Sequence, residues 1–211
     1  MLHEASQRHL MSIHGYVLMR THFHLLATPE TPTAIERTMQ RVGLRYVRYF
    51  NRRYTRTGGL FEGRYIPSIV DDERYWISCL RYIELNPVRA GIVTSPADYR
   101  WSSYHAHAFG ATDPLVTPHL RYRELGASVA ERQRVWQNVC AVDLTAEELN
   151  RIRFAAFEDR VLTSREKPSA VSGPELGPES GPESGPELGP ELGPESGPES
   201  GPKLGPESGP E

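Results

Sequence analysis

Residues 14–28, HGYVLMRTHFHLLAT, decide the fold that the sequence predicts. Tyr16–Met19 and His22–Thr28 consist largely of residue types that are common in strands. Only Arg20 and Thr21 separate the two runs, and so short a connection indicates a tight antiparallel hairpin. His22 and His24 are two positions apart on the second strand, so their imidazoles are expected to share one face of it.

Helical and extended patterns flank this hairpin. Residues 2–12 are polar and fit the end of a helix, and residues 33–56 carry apolar side chains every three or four positions, which predicts a longer helix. Leu60–Val70 is a candidate strand that Pro67 makes irregular or confines to an edge. A second helix is predicted over 73–86 and should close at Asn86, because a residue before proline avoids the α region.

The remaining sequence is less regular. Residues 95–120 are expected to be loop-like, and weaker helices are predicted at about 120–126, 128–138 and 145–159. The predicted class is α+β, with helices on one face of an antiparallel sheet. Three parts follow: a domain over 1–110, a helical appendix over 111–165, and a tail over 166–211 that repeats Gly-Pro-Glu-Ser/Leu and is expected to be disordered.

Net charge changes sign within this tail, at residue 173. The last 39 residues hold nine Glu and one Lys, whereas residues 1–172 carry a net charge of +5, almost all of it from Arg. No apolar run approaches the roughly 18–20 residues that span a bilayer, and Cys79 and Cys140 form no disulfide or zinc pattern. These features exclude a membrane span and a disulfide-stapled domain. They favour a cytoplasmic protein with an anionic partner.

Arginines mark one side of the predicted helix 33–56. From Arg37 to Arg64, through this helix and the segment after it, the sequence has eight arginines and one acidic residue, Glu62. Aromatic side chains are interleaved with them, at Tyr46, Tyr49, Tyr54, Phe61 and Tyr65. Cations that follow a phosphate backbone, together with aromatic rings for stacking, indicate single-stranded nucleic acid. The alternative is a solvated helix face.

Two residue pairs could carry chemistry. His22 and His24 can hold a divalent ion, or they can belong to an exposed polar strand face. Tyr82 and Asn86 are four apart on a helix and therefore share a side of it. A tyrosine hydroxyl beside a metal can attack a phosphodiester, although an isolated tyrosine usually serves packing. His105-Ala106-His107 repeats the histidine spacing outside any strand, and we interpret it as structural or surface.

Four segments of the chain resemble the REP-associated tyrosine transposases, which belong to the single-tyrosine HUH (insertion-sequence-200-like) transposases. They are HGYVLMRTHFHLLATP, RYFNRRYTRTGGLFEGRY, CLRYIELNPVRAGIV and PADYRWSSYHAH, in this order. The resemblance implies a ferredoxin-like or RRM-like fold and an enzyme that acts on single-stranded DNA. The targets it implies are hairpins beside short palindromic repeats.

The resemblance also implies roles for individual residues. His22 and His24 fall on the HUH motif and would bind Mg²⁺ or Mn²⁺, with Asn86 as a third ligand. Tyr82 would attack a DNA phosphate and form a 5′-phosphotyrosine intermediate, while Glu84 has no implied role. DNA contacts are expected from arginines, namely Arg41, Arg45, Arg48, Arg52, Arg53, Arg64, Arg81 and Arg89.

The sequence departs from this family at its start, where Met1 falls inside the family's first helix. We therefore expect an N-terminally truncated chain that lacks the first strand and leaves the edge at residues 60–70 without its neighbour. The alternative function is a catalytically inactive relative that binds nucleic-acid hairpins. A homodimer and a bacterial cytoplasmic location, nucleoid-associated when DNA is bound, complete the expectations.

Overall fold

A computed structural model describes residues 1–71, 73–157 and 161–162 of the chain. Its helices are α1 (Leu2–Arg8), α2 (Ala34–Arg53), α3 (Glu73–Glu84), α4 (Asn86–Arg89), α5 (Tyr104–Phe109), α6 (Leu120–Arg123), α7 (Val129–Cys140) and α8 (Ala146–Phe157). Its strands are β1 (Met11–Leu18), β2 (Phe23–Pro29), β3 (Ile69–Val70) and β4 (Val161–Leu162), and Pro96–Asp98 forms a 3-10 turn.

The predicted hairpin is confirmed. β1 pairs antiparallel with β2, and Val17 lies opposite His24. The backbone N–H of Met19 donates to the carbonyl of His22 across the turn, at 2.8 Å. β1 begins at Met11, earlier than the apolar pattern indicated, because residues 11–15 are buried or partly buried against neighbouring helices.

A shift of register between Ile13 and Gly15 turns the two ends of β1 toward different faces. One apolar cluster contains Met11, Ile13, Ala27, Leu2, Ala34 and Ile35. The other contains Val17, Leu26, Trp76, Leu80 and Ile83. Thus α1 and α2 cover one face of the hairpin and α3 covers the other, and the prediction that helices lie on one face was wrong.

The prediction of a strand over Leu60–Val70 was also wrong for most of its length. Residues 60–68 adopt no helix or strand, and side chains 61–69 are exposed. Only β3 is extended, and it pairs parallel with β4 rather than with the hairpin. Pro67 cannot donate to a sheet ladder, which disfavours a continuous strand here. The ferredoxin-like arrangement is therefore not confirmed.

Helices follow the hairpin much as predicted, with two differences. α3 ends at Glu84, and Asn86-Pro87 begins the short α4 because proline is tolerated in a first helical turn. Residues 95–120 are not all loop, because they include the helix α5. Its residues Tyr104, His107 and Ala108 are buried, and this burial stabilises the helix. Gly110, at a φ of 70°, ends that helix in the left-handed region.

The three predicted C-terminal helices are confirmed as α6, α7 and α8, and they pack on α3. Trp136 of α7 is fully buried in the same cluster as Leu80, together with Tyr122 and Ile152. The domain boundary at residue 110 stays a prediction, and the tail lies outside the described residues. Within residues 1–71, 73–157 and 161–162, no helix combines the length and apolar composition needed to cross a bilayer.

Candidate active site

Three aromatic rings form a cluster where α3 packs on the hairpin. The imidazoles of His22 and His24 lie with their ring centroids 5.1 Å apart. The ring of Tyr82 lies 5.6 Å from that of His24, nearly perpendicular to it. The strand alternation that places both histidines on the α3 side therefore brings together three of the four residues predicted for the chemistry.

His24 is the most unusual group in this cluster. Its Nε2 atom is buried and has no hydrogen-bond partner. Burial, together with the smaller effects of the positive charges of His22 and Arg89, lowers the pKa of His24 to about 4. The ring is therefore neutral near pH 7, with a nitrogen lone pair available to a ligand.

His22 and Asn86 complete the predicted metal-binding set. His22 is exposed beside the turn, and its Nδ1 lies 3.2 Å from the Thr21 hydroxyl, so the other ring nitrogen is left for a ligand. Asn86 is buried as the first residue of α4, four positions beyond Tyr82. Among the described residues, no three side chains from His, Cys, Asp and Glu come together as a metal group. Within this described part of the chain, a third protein ligand would be of another type, such as the Asn86 amide oxygen.

Arg89 covers Tyr82 on the solvent side. Its guanidinium carbon lies 4.0 Å from the centroid of the Tyr82 ring, and one of its N–H groups donates to the Tyr82 carbonyl at 3.3 Å. This cation–π contact restrains the half-buried tyrosine ring. It also places a positive charge over the face of the Tyr82 ring.

Glu84, for which the sequence predicted no role, is fully buried on the opposite side of α3. Its carboxylate accepts hydrogen bonds from the Ser103 hydroxyl at 2.5 Å, from Nδ1 of His107 at 2.7 Å and from the Trp136 indole at 2.8 Å. The structural interpretation of His107 is thus confirmed. One sequence pattern could have indicated that Glu84 is buried. Trp76, Leu80 and Glu84 follow one another at intervals of four, so Glu84 lies on the same side of α3 as two apolar residues.

The arginines divide into two groups. Arg48, Arg52, Arg53, Arg64 and Arg89 are exposed. Arg41 and Arg45 of α2 instead form ion pairs with Glu4 of α1, and that of Arg41 measures 2.9 Å. Arg81 is buried, donates to the Val142 carbonyl and lies 3.8 Å from the Glu148 carboxylate. Because Arg81 is occupied within the fold, we leave it out of the proposed DNA surface.

One of three comparisons with known proteins found a match. No curated protein and no solved structure matches the chain. Residues 1–86 match the family model described as transposase IS200 like, and this match begins before the hairpin and ends at Asn86. It therefore includes His22, His24 and Tyr82. This part of the chain is similar to the IS200-like transposases, and the match supports that family.

Proposed function

We propose that the protein is a transposase-like, metal-dependent endonuclease and strand transferase of single-stranded DNA. The observation that carries the proposal is the ring cluster of His22, His24 and Tyr82, which lies within the residues that match the transposase family. A tyrosine nucleophile beside two nitrogen ligands is an arrangement that supports metal-assisted cleavage of a phosphodiester.

The residues present fit a divalent ion. The buried, unpartnered Nε2 of His24 would supply one nitrogen and His22 a second. Asn86, buried at the start of α4, would supply the amide oxygen that the family resemblance implies. Mg²⁺ prefers oxygen ligands and Mn²⁺ accepts imidazole more readily, so this donor set favours Mn²⁺ of the two ions proposed. When bound, the ion would polarise the scissile phosphate.

Tyr82 performs the covalent step. Its hydroxyl oxygen attacks the phosphorus and loses its proton, and a 5′-phosphotyrosyl bond forms. The bond from phosphorus to the 3′ oxygen breaks, and that oxygen takes up a proton to leave a 3′-hydroxyl. Because one phosphoester replaces another, the bond is conserved for rejoining to a second 3′-hydroxyl. Arg89 holds the ring through its cation–π contact during the attack.

The DNA surface of the proposal is the exposed side of α2 and the segment after it. Its exposed guanidinium groups are those of Arg48, Arg52, Arg53 and Arg64. Tyr49 and Tyr54 are more than half exposed and offer rings to unpaired bases. The family resemblance supports hairpins beside palindromic repeats as targets.

A denaturing gel of the purified chain with labelled single-stranded hairpin DNA and Mn²⁺ tests the proposal. We expect a protein–DNA adduct that disappears in Tyr82→Phe and with EDTA, and persists in Tyr49→Phe, an exposed tyrosine on α2. A His22→Ala/His24→Ala double variant should bind the hairpin and fail to cut it. Cutting by the double variant at the parent rate would exclude the metal assignment.

One observation favours a second candidate, a hairpin-binding protein that does not cut. Residues 60–68 form no strand, so the sheet that carries the histidines contains just β1 and β2 among the described residues. In that case hairpin binding would remain, and no adduct would form in the same gel.

A further inference from the structure

Trp101 differs from the other two tryptophans in its exposure. Trp76 and Trp136 are 7% and 0% exposed, whereas Trp101 is 53% exposed. Neither α2 nor the ring cluster includes it, and none of the functional residues predicted from the sequence lies beside it in the chain. Tryptophan is enriched at interfaces, because its ring offers a large apolar area and an N–H donor.

The backbone around Trp101 is held firmly against the hairpin. The N–H of Leu18 donates to the Trp101 carbonyl at 2.8 Å, and the Tyr99 hydroxyl donates to the Leu18 carbonyl at 2.6 Å. Ser102 forms a β-bridge with Val17. The indole is therefore exposed on an ordered edge of β1, and little conformational entropy is lost when a ligand stacks on it.

One cation lies directly over this ring. The guanidinium carbon of Arg100 lies 4.6 Å from the Trp101 ring centroid and covers one ring face. Arg20 is exposed in the hairpin turn, and Asp98 is an exposed acidic residue in the same segment as Arg100. We propose that Trp101 and Arg100 form a stacking site for one unpaired base of single-stranded DNA, with the guanidinium near the adjoining phosphate.

The position of the site specifies how DNA would reach the catalytic residues. Val17 pairs with both Ser102 and His24, so these three side chains lie on the α3 face of the hairpin. Trp101 precedes Ser102 in the chain, and its carbonyl accepts from Leu18, two residues before Arg20 in the turn. We therefore expect a strand stacked on Trp101 to run past the hairpin turn toward His22. This inference rests on the proposed function for the identity of its ligand.

Tryptophan emission of the full chain gives a direct readout, because the other two tryptophans are buried. Acrylamide should quench Trp101 selectively, and titration with single-stranded oligothymidylate should quench and protect it. Trp101→Phe should lose this optical response and keep most of the affinity, because phenylalanine also stacks.

Trp101→Ala should weaken oligothymidylate binding by roughly five- to hundred-fold. An abasic oligomer of equal length carries the phosphates without the bases, and it should bind the parent and Trp101→Ala equally. Phe109→Ala provides a matched control, because Phe109 is 51% exposed at the end of α5. Its affinity for oligothymidylate should equal that of the parent.

Unchanged oligothymidylate binding by Trp101→Ala would overturn the stacking site, and if the parent still formed the Tyr82 adduct the proposed function would stand. An equal loss with the abasic oligomer would also overturn it, because bases would not be involved. Base-dependent quenching without an adduct would support the stacking site and contradict the cleavage. A parent that binds no single-stranded DNA would overturn both.

Discussion

At the scale of single residues, His24 combines burial with two neighbouring positive charges. Its pKa, lowered from 6.5 to about 4, means that the folded chain favours the neutral ring. The stability contributed by this group is therefore fully present above about pH 6.5 and is lost as the pH falls through about 4. A proton on Nε2 would also occupy the atom proposed to bind the metal.

NMR titration of the metal-free protein should place the His24 midpoint near pH 4. Arg89→Gln removes one of the positive charges and should move that midpoint upward, toward the ordinary value. His105→Ala, a substitution on α5, should leave it unchanged. A midpoint near 6.5 in the parent would contradict the burial of this ring.

At the scale of elements, the Glu84 carboxylate joins the end of α3 to α5 and α7. Glu84→Gln replaces one carboxylate oxygen, which accepts hydrogen bonds, by an amide NH₂ group, which donates them. At least one of the buried donors that Glu84 accepts from then has no acceptor. We expect a loss of about 1.5–3 kcal/mol in the free energy of unfolding, measured by urea denaturation. Glu124→Gln breaks an exposed ion pair with Arg121 and should cost about 0.5 kcal/mol or less. Equal losses in the two variants would contradict the role of Glu84.

The contact of α1 with α2 limits the charge available to DNA. Arg41 and Arg45 lower the pKa of Glu4 to about 2, so the pair stays ionised near pH 7. Glu4→Gln releases both arginines and should raise affinity for single-stranded DNA. The slope of log K against log salt should steepen by roughly 0.7 for each additional phosphate that a released arginine neutralises. Glu36→Gln removes an exposed carboxylate of α2 without a role in this pair, and an equal change there would argue against specific release.

At the scale of the whole molecule, one apolar core joins α3 to helices that follow residue 110. Trp136, Tyr122 and Ile152 pack in the cluster that contains Leu80. A chain ending at residue 110 loses these side chains, and it should unfold without a cooperative transition. Residues 1–162 should retain one. Cooperative thermal unfolding of the shorter chain, followed by circular dichroism, would instead support an independent domain over 1–110.

The same scale shows what the sequence could and could not predict. Local patterns found the hairpin, α2 and α3. A tight turn and a repeat of apolar positions along a helix both depend on residues that are close together in the sequence. The alternation of side chains along a strand also placed His22 and His24 on one face. Long-range partners were missed: spacing along α3 could indicate that Glu84 is buried, but not that its carboxylate accepts a hydrogen bond from Trp136, 52 positions away. The prediction of a strand at 60–68 failed because pairing requires a partner that no local pattern reveals.

The most direct measurement locates the covalent bond in the adduct. Trypsin cuts after Arg81 and Arg89, so the peptide Tyr82–Arg89 contains Tyr82 as its sole tyrosine. After nuclease and trypsin digestion, mass spectrometry should find a 5′-nucleotide on this peptide, and none in Tyr82→Phe. A nucleotide on any other peptide, or hairpin cutting without a nucleotide-bearing peptide, would contradict Tyr82 as the nucleophile.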